Sequence, residues 1–563
     1  MAAISLLDTE IEDKIDSMNS SSKEIPPLIT LIGDPEETFY QLGLKDREDF
    51  LSLFNHITQI ISTPWKSVDR VVQELIKQII TRGLNCDSFL RFASAYAEGV
   101  ERELEDVVYA LLVPEMTAAL SKWLPAIPTT IFGCSSYFAW NTKSQSPMHA
   151  RILDFPLATS YDRYERALLH RFPGKPDIFS FGCVGMPYPA LTAMTSAGVT
   201  LACHQKYTDV MNSKGTPIFH LLFKLLQQVS DRKSALEFLD GQNSITSWGI
   251  YLTFKDGDTL AYDLWGEERF AVKERVGPKK IFYYNNLPLN KNIKQSIFRP
   301  FGFESYCQMR HQSANKKITE LKRKEPLNDL KLIKSIATPV TLAKEGPEQW
   351  RVDPVHHNSI AVATLNAKEG KALYIPGDAP KIYQGTVVEY SHLWEQNFKQ
   401  RLHHKKSQEH ILSSTVRDGM RQMILAQVYY DQKNYHLAYH HIQLSCDYLA
   451  STIHRNIPRI YFLIFQFIHE SHTKGQYILL QSFKELRGEL PPYLNDQCQL
   501  FVARLELMLY GRCTICVDDF ITPALRNIFI YEQEIPQPLI HVVVKNATFP
   551  RLEILDVIYG HLK

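Results

Sequence analysis

The apolar pattern of this chain changes period twice. From Gly33 to Pro128 apolar residues recur at helical spacing. Asp46 to Ile61 places Phe50, Leu53, Phe54, Ile57 and Ile61 on one face, and Ser67 to Ile80, Phe89 to Arg102 and Glu105 to Leu112 repeat the habit. From there to about residue 395 the chain reads mostly as strands. Gly249–Phe254 and Thr259–Leu264 flank an Asp-Gly turn, and Ser359–Leu365 with Lys371–Ile375 forms a second hairpin. Helices are expected between them at Pro217 to Val229, Asp231 to Leu239 and Tyr306 to Arg323. Beyond a charged, His-rich stretch at 396–413 the pattern is helical again, with a hairpin of Met420 to Tyr430 and Tyr435 to Leu449. Such a chain predicts a layered α/β (α+β) protein with helices packed outside its sheets. Pro125, Pro128 and Thr129-Thr130 mark the first change of period, and Cys134 stands just beyond it.

At 563 residues the chain exceeds one core and fits two to four domains. The expected division is a flexible arm at 1–28, a helical segment at 29–133, a sheet-bearing core at 134–395, a junction at 396–413 and a helical C-terminal domain at 414–563. In that last domain the Tyr435-His-Leu-Ala-Tyr439 unit resembles one tetratricopeptide-type repeat, without a second copy at a fixed period. A net charge of +1 gives no global field favouring nucleic acid or an anionic membrane. The greasiest run, Ile460 to Ile468, is too short to span a bilayer. The first residues show no basic-then-apolar leader pattern, and the nine cysteines have no framework spacing. The expectation is a cytoplasmic protein with reduced thiols.

The segment with most chemical content is Ile131-Phe-Gly-Cys134-Ser-Ser-Tyr-Phe-Ala-Trp-Asn141, followed by Arg151-Ile-Leu-Asp154-Phe-Pro. A thiol preceded by a glycine and followed by small hydroxyl residues can cleave the peptide bond before itself. One residue then supplies both the nucleophile and, through its new α-amine, the base. Taken singly, Cys134 reads better as a buried inert thiol, and Arg151 with Asp154 as a surface ion pair. Further pieces follow in order: Leu191-Thr-Ala-Met-Thr-Ser-Ala-Gly198 leading to His204, then Asn285-Asn286-Leu-Pro288, then Ser305-Tyr-x-x-x-Arg310.

Together with Gly33-Asp-Pro-Glu-Glu-Thr-Phe-Tyr-Gln-Leu-Gly43, Tyr96-Ala-Glu-Gly-Val100 and Pro114-Glu-Met116, these pieces resemble the N-terminal-nucleophile hydrolases. The resemblance is to the acyl-coenzyme A:6-aminopenicillanate acyltransferase branch, related to acid ceramidase, N-acylethanolamine acid amidase and choloylglycine hydrolases. It runs from about Gly33 to Pro380. It implies an αββα sandwich and a chain that cuts itself between Gly133 and Cys134 into associated α and β fragments. It also implies a cysteine amidohydrolase or acyltransferase working through a Cys134 acyl-thioester on a small-molecule amide, non-peptide or small peptidic. Arg151 is then the cation that lowers the thiol pKa. Asp154 holds the freed α-amine, and Asn285 or Asn286, with Asn286 preferred, donates to the oxyanion. His204, standing where relatives carry asparagine, contacts the oxyanion or leaving group, and Arg310 orients Asp154 or the substrate.

No cofactor or metal is implied. Cys513-Thr-Ile-Cys516 is a single pair, and His469-Glu-Ser-His472 has the wrong spacing for a metalloprotease. The rival expectation is an interaction protein. In it the sandwich has lost its activity and the C-terminal helices dock a protein partner; His204 and the repeat-like hairpin favour that reading.

Overall fold

The computed structural model describes residues 25–59, 86–123, 133–290, 303–339, 353–406 and 411–546, together with scattered positions between 74 and 84 and except for isolated positions within these spans. The expected arm (except residues 25–28), most of the Ser67 to Ile80 helix and the Pro125 to Thr130 break lie outside them.

Two sheets form the centre. The first has eight strands in the order β1 (Leu28–Ile32), β4 (Glu165–Arg171), β5 (Ile178–Cys183), β6 (Thr192–Thr195), β7 (Val199–Gln205), β8 (Ser247–Phe254), β9 (Asp258–Trp265) and β10 (Glu268–Arg275). Only β1 and β4 pair in parallel; the rest are antiparallel. The second has seven antiparallel strands in the order β11 (Phe282–Tyr284), β2 (Gly133–Asn141), β3 (Ser146–Asp154), β12 (Ser359–Asn366), β13 (Lys371–Tyr374), β14 (Thr386–Ser391) and β15 (Lys399–His404). Both expected hairpins are present. β8 and β9 turn through Gly257, whose φ of 93° suits a residue without a Cβ.

Buried side chains sort into three layers. Between the sheets lie Leu153, Ile360, Ala363 and Tyr390 of one sheet and Ala167, Leu169, Phe179 and Phe181 of the other. Phe181 stacks on Tyr374 across the gap at 4.6 Å. On the outer face of the eight-stranded sheet, Leu168, Ile178, Leu201 and Leu252 pack on four helices: α1 (Pro35–Asp46), α3 (Asp87–Val100), α4 (Leu104–Trp123) and α5 (Ile218–Gln228). A short α2 (Phe50–Gln59) sends Leu53 and Ile57 to the inter-sheet layer. Asp231 and Ser234 close a reciprocal cap on α6 (Arg232–Asp240), which fixes where that helix starts. On the outer face of the seven-stranded sheet, Tyr137, Ala150, Ile152, Val362 and Leu373 pack on α7 (Phe303–Arg323) and α8 (Asp329–Ile336). The architecture is the expected αββα sandwich.

The third layer continues without a break into the C-terminal helices. These are α9 (Ser414–Asp431), α10 (Tyr435–Leu449), α11 (Asn456–His469), α12 (Thr473–Leu486), α13 (Pro492–Tyr510), α14 (Pro523–Gln533) and α15 (Gln537–Asn546). Met420, Ile464, Phe501 and Val544 share one apolar cluster with Val362 and Leu373. Ile424 and Val428 of α9 reach the inter-sheet layer itself. The His-rich 396–413 stretch supplies β15, the edge strand. Its alternation is hidden by charged side chains, which suit an exposed edge.

Candidate active site

The hairpin β2–β3 builds the site. Antiparallel register sets Cys134 opposite Leu153, Ser136 opposite Arg151 and Gly133 opposite Asp154. Because side chains alternate along strands, Cys134, Leu153, Ser136 and Arg151 share the face turned to the other sheet, while Gly133 and Asp154 share the outer one. The Asn141 side chain accepts from the backbone nitrogens of Lys143 and Ser144 at 2.9 and 3.1 Å, which shapes the turn and locks this register.

Arg151 donates to the Cys134 Sγ at 3.3 Å through Nη2, and through Nη1 to the Leu191 carbonyl oxygen. Burial pushes the Cys134 thiol up; Arg151 offsets this in part, Asp154 adds to it, and the net displacement is upward. Arg151 thus acts on the thiol in the expected direction, but in the intact chain desolvation of the anion outweighs one guanidinium.

On the outer face the Asp154 carboxylate is held at both oxygens. Oδ1 accepts from Ser359 Oγ at 2.6 Å; Oδ2 accepts from Arg310 Nη1 at 3.0 Å and lies 3.3 Å from His356 Nε2. Burial alone would raise this carboxyl, but His356, Arg310 and Ser359 outweigh it and hold it below the usual carboxylate range. A Cβ at position 133 would stand 2.6 Å from Asp154 Oδ2 and 3.1 Å from Arg310 Nη1. Glycine before the cysteine is thus dictated by this close approach.

Asn286 links the two faces. Its Oδ1 accepts from the Cys134 backbone nitrogen at 2.9 Å and from Arg310 Nη2 at 2.8 Å, and its Nδ2 donates to the Gln205 carbonyl oxygen at 2.9 Å. That bond uses one of the two Nδ2 hydrogens of Asn286. The loop carrying it is pinned by Lys206, which donates to the Asn285 carbonyl oxygen at 3.2 Å, to the Leu287 carbonyl oxygen and to the Tyr251 hydroxyl at 2.9 Å. Lys206 also lies 3.4 Å from Asp263, whose other oxygen accepts from Leu289 N at 2.8 Å. Gly249 makes room for it: a Cβ there would meet Lys206 Cε at 2.5 Å.

The structure thus brings Gly133, Cys134, Arg151, Asp154, Asn286 and Arg310 together. It does not bring His204 onto the thiol. His204 Nε2 bonds Ser136 Oγ at 2.8 Å, and its ring lies 4.2 Å from that of Tyr251. Burial, Arg151 and Lys206 hold it well below the usual imidazole range, so it is neutral. Sequence reasoning passed over Lys206, Asp263, His356 and Ser359. The last two reach Asp154 only because β12 pairs with β3, a contact across some 200 residues that no local pattern announces.

Cys134 and Arg151 line a cavity of about 70 Å³ whose other walls are almost all apolar, among them Leu153, Phe155, Leu191, Phe219, Trp248 and Ile360. Among the described residues no cluster of three His, Cys, Asp or Glu side chains is placed to hold a metal ion, and no helix is long and apolar enough to cross a membrane. None of the nine cysteines is in a disulfide.

No family model and no curated protein matches this chain. Among solved structures it is similar to an N-acylethanolamine-hydrolyzing acid amidase ortholog of Caenorhabditis elegans, at 14% identity over 45% of this chain and 97% of that one, with a TM-score of 0.29. A variant of conjugated bile acid hydrolase from Clostridium perfringens matches at 11% identity over 49% of this chain and 99% of that one, with a TM-score of 0.30. Penicillin V acylase from Agrobacterium tumefaciens matches at 12% over 46% and 90%, with a TM-score of 0.27.

Proposed function

We propose that the protein is a self-processing cysteine hydrolase or acyltransferase of the N-terminal-nucleophile kind, acting on the C–N bond of a small-molecule amide. One observation carries this reading. Cys134 presents its sulfur to Arg151 in an apolar cavity while its backbone nitrogen is bonded to Asn286 and the preceding glycine lies against the Asp154 carboxylate. A structural cysteine needs no such arrangement around the peptide bond before it.

In maturation the Cys134 Sγ adds to the Gly133 carbonyl carbon. The C–N bond breaks, the thiol proton ends on the departing nitrogen, and Gly133 is left as a thioester. Water splits it, giving the Gly133 carboxylate and a thiol on a chain that now begins with an α-amine. That amine, with an ordinary pKa of about 8, is a base matched to neutral pH and takes over a thiol otherwise held protonated by burial. Asp154 and Asn286 accept from the amine and fix its lone pair toward the sulfur. In turnover the amine takes the thiol proton, Sγ attacks the substrate carbonyl, and the proton passes to the leaving amine. The acyl-thioester then goes to water or to a second amine. The fragments 1–133 and 134–563 stay together in this scheme, because β1 is paired into the first sheet and Phe39 and Tyr96 are buried in its outer core.

Denaturing electrophoresis with mass spectrometry tests the proposal. Wild type is expected as two fragments beginning at Met1 and Cys134, Cys134→Ala as one intact chain. Cut wild type is then screened on N-acyl amino acids, N-acylethanolamines, β-lactams and ceramides. A wild-type chain that stays whole, with Cys134 inert to iodoacetamide, would sink it.

A further inference from the structure

The Asp154 carboxylate has an attendant that neither the sequence pattern nor the roles assigned so far include. His356 lies in the turn that leads into β12, and that turn is built around it. The Asn358 N–H donates to His356 Nδ1 at 3.2 Å, so Nδ1 is the acceptor nitrogen and the ring proton sits on Nε2, the atom 3.3 Å from Asp154 Oδ2. The His356 N–H donates to Ser359 Oγ at 3.0 Å, and the same hydroxyl donates to Asp154 Oδ1 at 2.6 Å. A break in register between β12 and β3 places Ser359, not Ile360, opposite Asp154 while Ala361 stays opposite Leu153. Bulges of this kind re-aim side chains next to reactive centres. His356 and Asp154 are each only 2% exposed, so water does not compete for this contact.

We propose that His356 is the positioning residue for Asp154: its Nε2–H holds the carboxylate against the Gly133–Cys134 link, so that the Cys134 nitrogen, as amide or as amine, keeps its acidic partner. This rests on the function proposed above. Arg310 grips the same oxygen but spends its second nitrogen on Asn286, so it ties Asp154 to the Asn286 loop. His356 with Ser359 ties it to β12, from the other side. The charged and titratable groups around Asp154 are Arg310 from α7, His356 from the turn and the Cys134 thiol of β2, with Tyr137 and Asp353 in the same cluster. Arg151 points its guanidinium at the sulfur instead.

The test compares full-length wild type, His356→Phe and His356→Gln. Fragment appearance is followed against pH, as is hydrolysis of whichever amide the screen identifies. His356→Phe is expected to move the acid limb of both profiles up by about one pH unit, which is about tenfold slower reaction at the acid end. His356→Gln, which keeps an N–H donor at similar reach, restores part of that shift. Profiles that fall uniformly without moving, with no rescue by glutamine, would overturn the assignment. A second measurement does not depend on activity. In a Cys134→Ala background, urea midpoints of His356→Phe, Asp154→Asn and the double variant form a cycle. Non-additive shifts are expected; additive ones overturn the proposal. If wild type never cuts itself, the proposed function falls, while this cycle still decides whether His356 serves Asp154.

Discussion

Asp154 ends β3 and Glu165 begins β4, so a single loop separates two fully buried carboxylates that the protein treats in opposite ways. Asp154 faces Arg310, His356 and Ser359 and is held below the usual range. Glu165 faces Lys381 at 2.6 Å and Tyr374 at 2.8 Å with the Asp162 carboxylate nearby, and burial pushes it up to about 7. Both are buried; what differs is the count of donors and the sign of the neighbours. One carboxylate is favoured in its charged form by its neighbours. The other sits close to its titration point and joins the two sheets, which suits a structural pair.

That contrast can be broken first with paired variants. Asp154→Asn is expected to abolish self-cleavage and turnover, a loss of roughly 10²–10³-fold or more. Glu165→Gln leaves Lys381 buried without its counter-charge and is expected to cost about 3–5 kcal/mol of stability, with kcat/KM per folded molecule unchanged. Urea unfolding and fragment analysis of the two variants separate the effects. The pH dependence sharpens this. A carboxyl raised in the folded state stabilises below its unfolded pKa and loses that contribution as pH rises through the folded value. Glu165 thus lowers stability between about pH 4.5 and 7. Asp154, being depressed, contributes above its unfolded value and loses it as pH falls through the folded one. Glu165→Gln should flatten the unfolding profile from pH 4.5 to 7, and Asp154→Asn only at the acid end. Both variants flattening the same window would dissolve the distinction.

The same contrast separates what the sequence disclosed from what it hid. Cys134, Arg151 and Asp154 lie within one hairpin, so the spacing that made them conspicuous is the spacing that pairs them. The helices α3, α5, α6 and α10 were legible because one apolar face repeats at helical period. Asn286 and Arg310 were placed only through the family likeness. Lys206, His356 and Ser359 were hidden, because each owes its place to strands far apart in sequence. The C-terminal helices were legible as helices, but their sharing of a core with β12 and β13 was not. Periodicity tells which residues a helix buries, not against what. His204 was drawn to the site because it stands where the resembled family carries asparagine, yet its Nε2 is bonded to Ser136 Oγ.

A second way to sharpen the comparison is to loosen Asn286 without touching it. Lys206→Met keeps the length of the side chain but removes the donors that hold the Asn285 and Leu287 carbonyl oxygens. It is expected to lower kcat about 10–100-fold by misplacing Asn286, with a smaller change in KM. Methionine also leaves Asp263 buried without Lys206, so unfolding must be measured alongside. An Asp263→Asn, Lys206→Met double variant that regains stability but not kcat would assign the loss to the loop rather than to the ion pair.

The smallest expected effects come from deleting one neutral hydrogen-bond donor at each carboxylate. Ser359→Ala takes a 2.6 Å bond from Asp154, and Tyr374→Phe a 2.8 Å bond from Glu165. Hydrogen bonds to charged groups are worth about 1.5–3 kcal/mol, and each variant removes one acceptor contact from a group that keeps others. Each donor helps to lower its carboxyl, so each deletion lets burial push that carboxyl further up. The consequences diverge because the starting points do. With Arg310 and His356 still in place, Asp154 remains ionised near neutrality in Ser359→Ala, and only the acid limb of cleavage moves upward. Glu165 has only Lys381 to oppose burial in Tyr374→Phe, so the pH window over which stability falls extends above 7 while cleavage keeps its profile. If instead Tyr374→Phe moved the cleavage profile, the two carboxylates would be coupled through the loop between them, and the division into a working group and a structural group would have to be withdrawn.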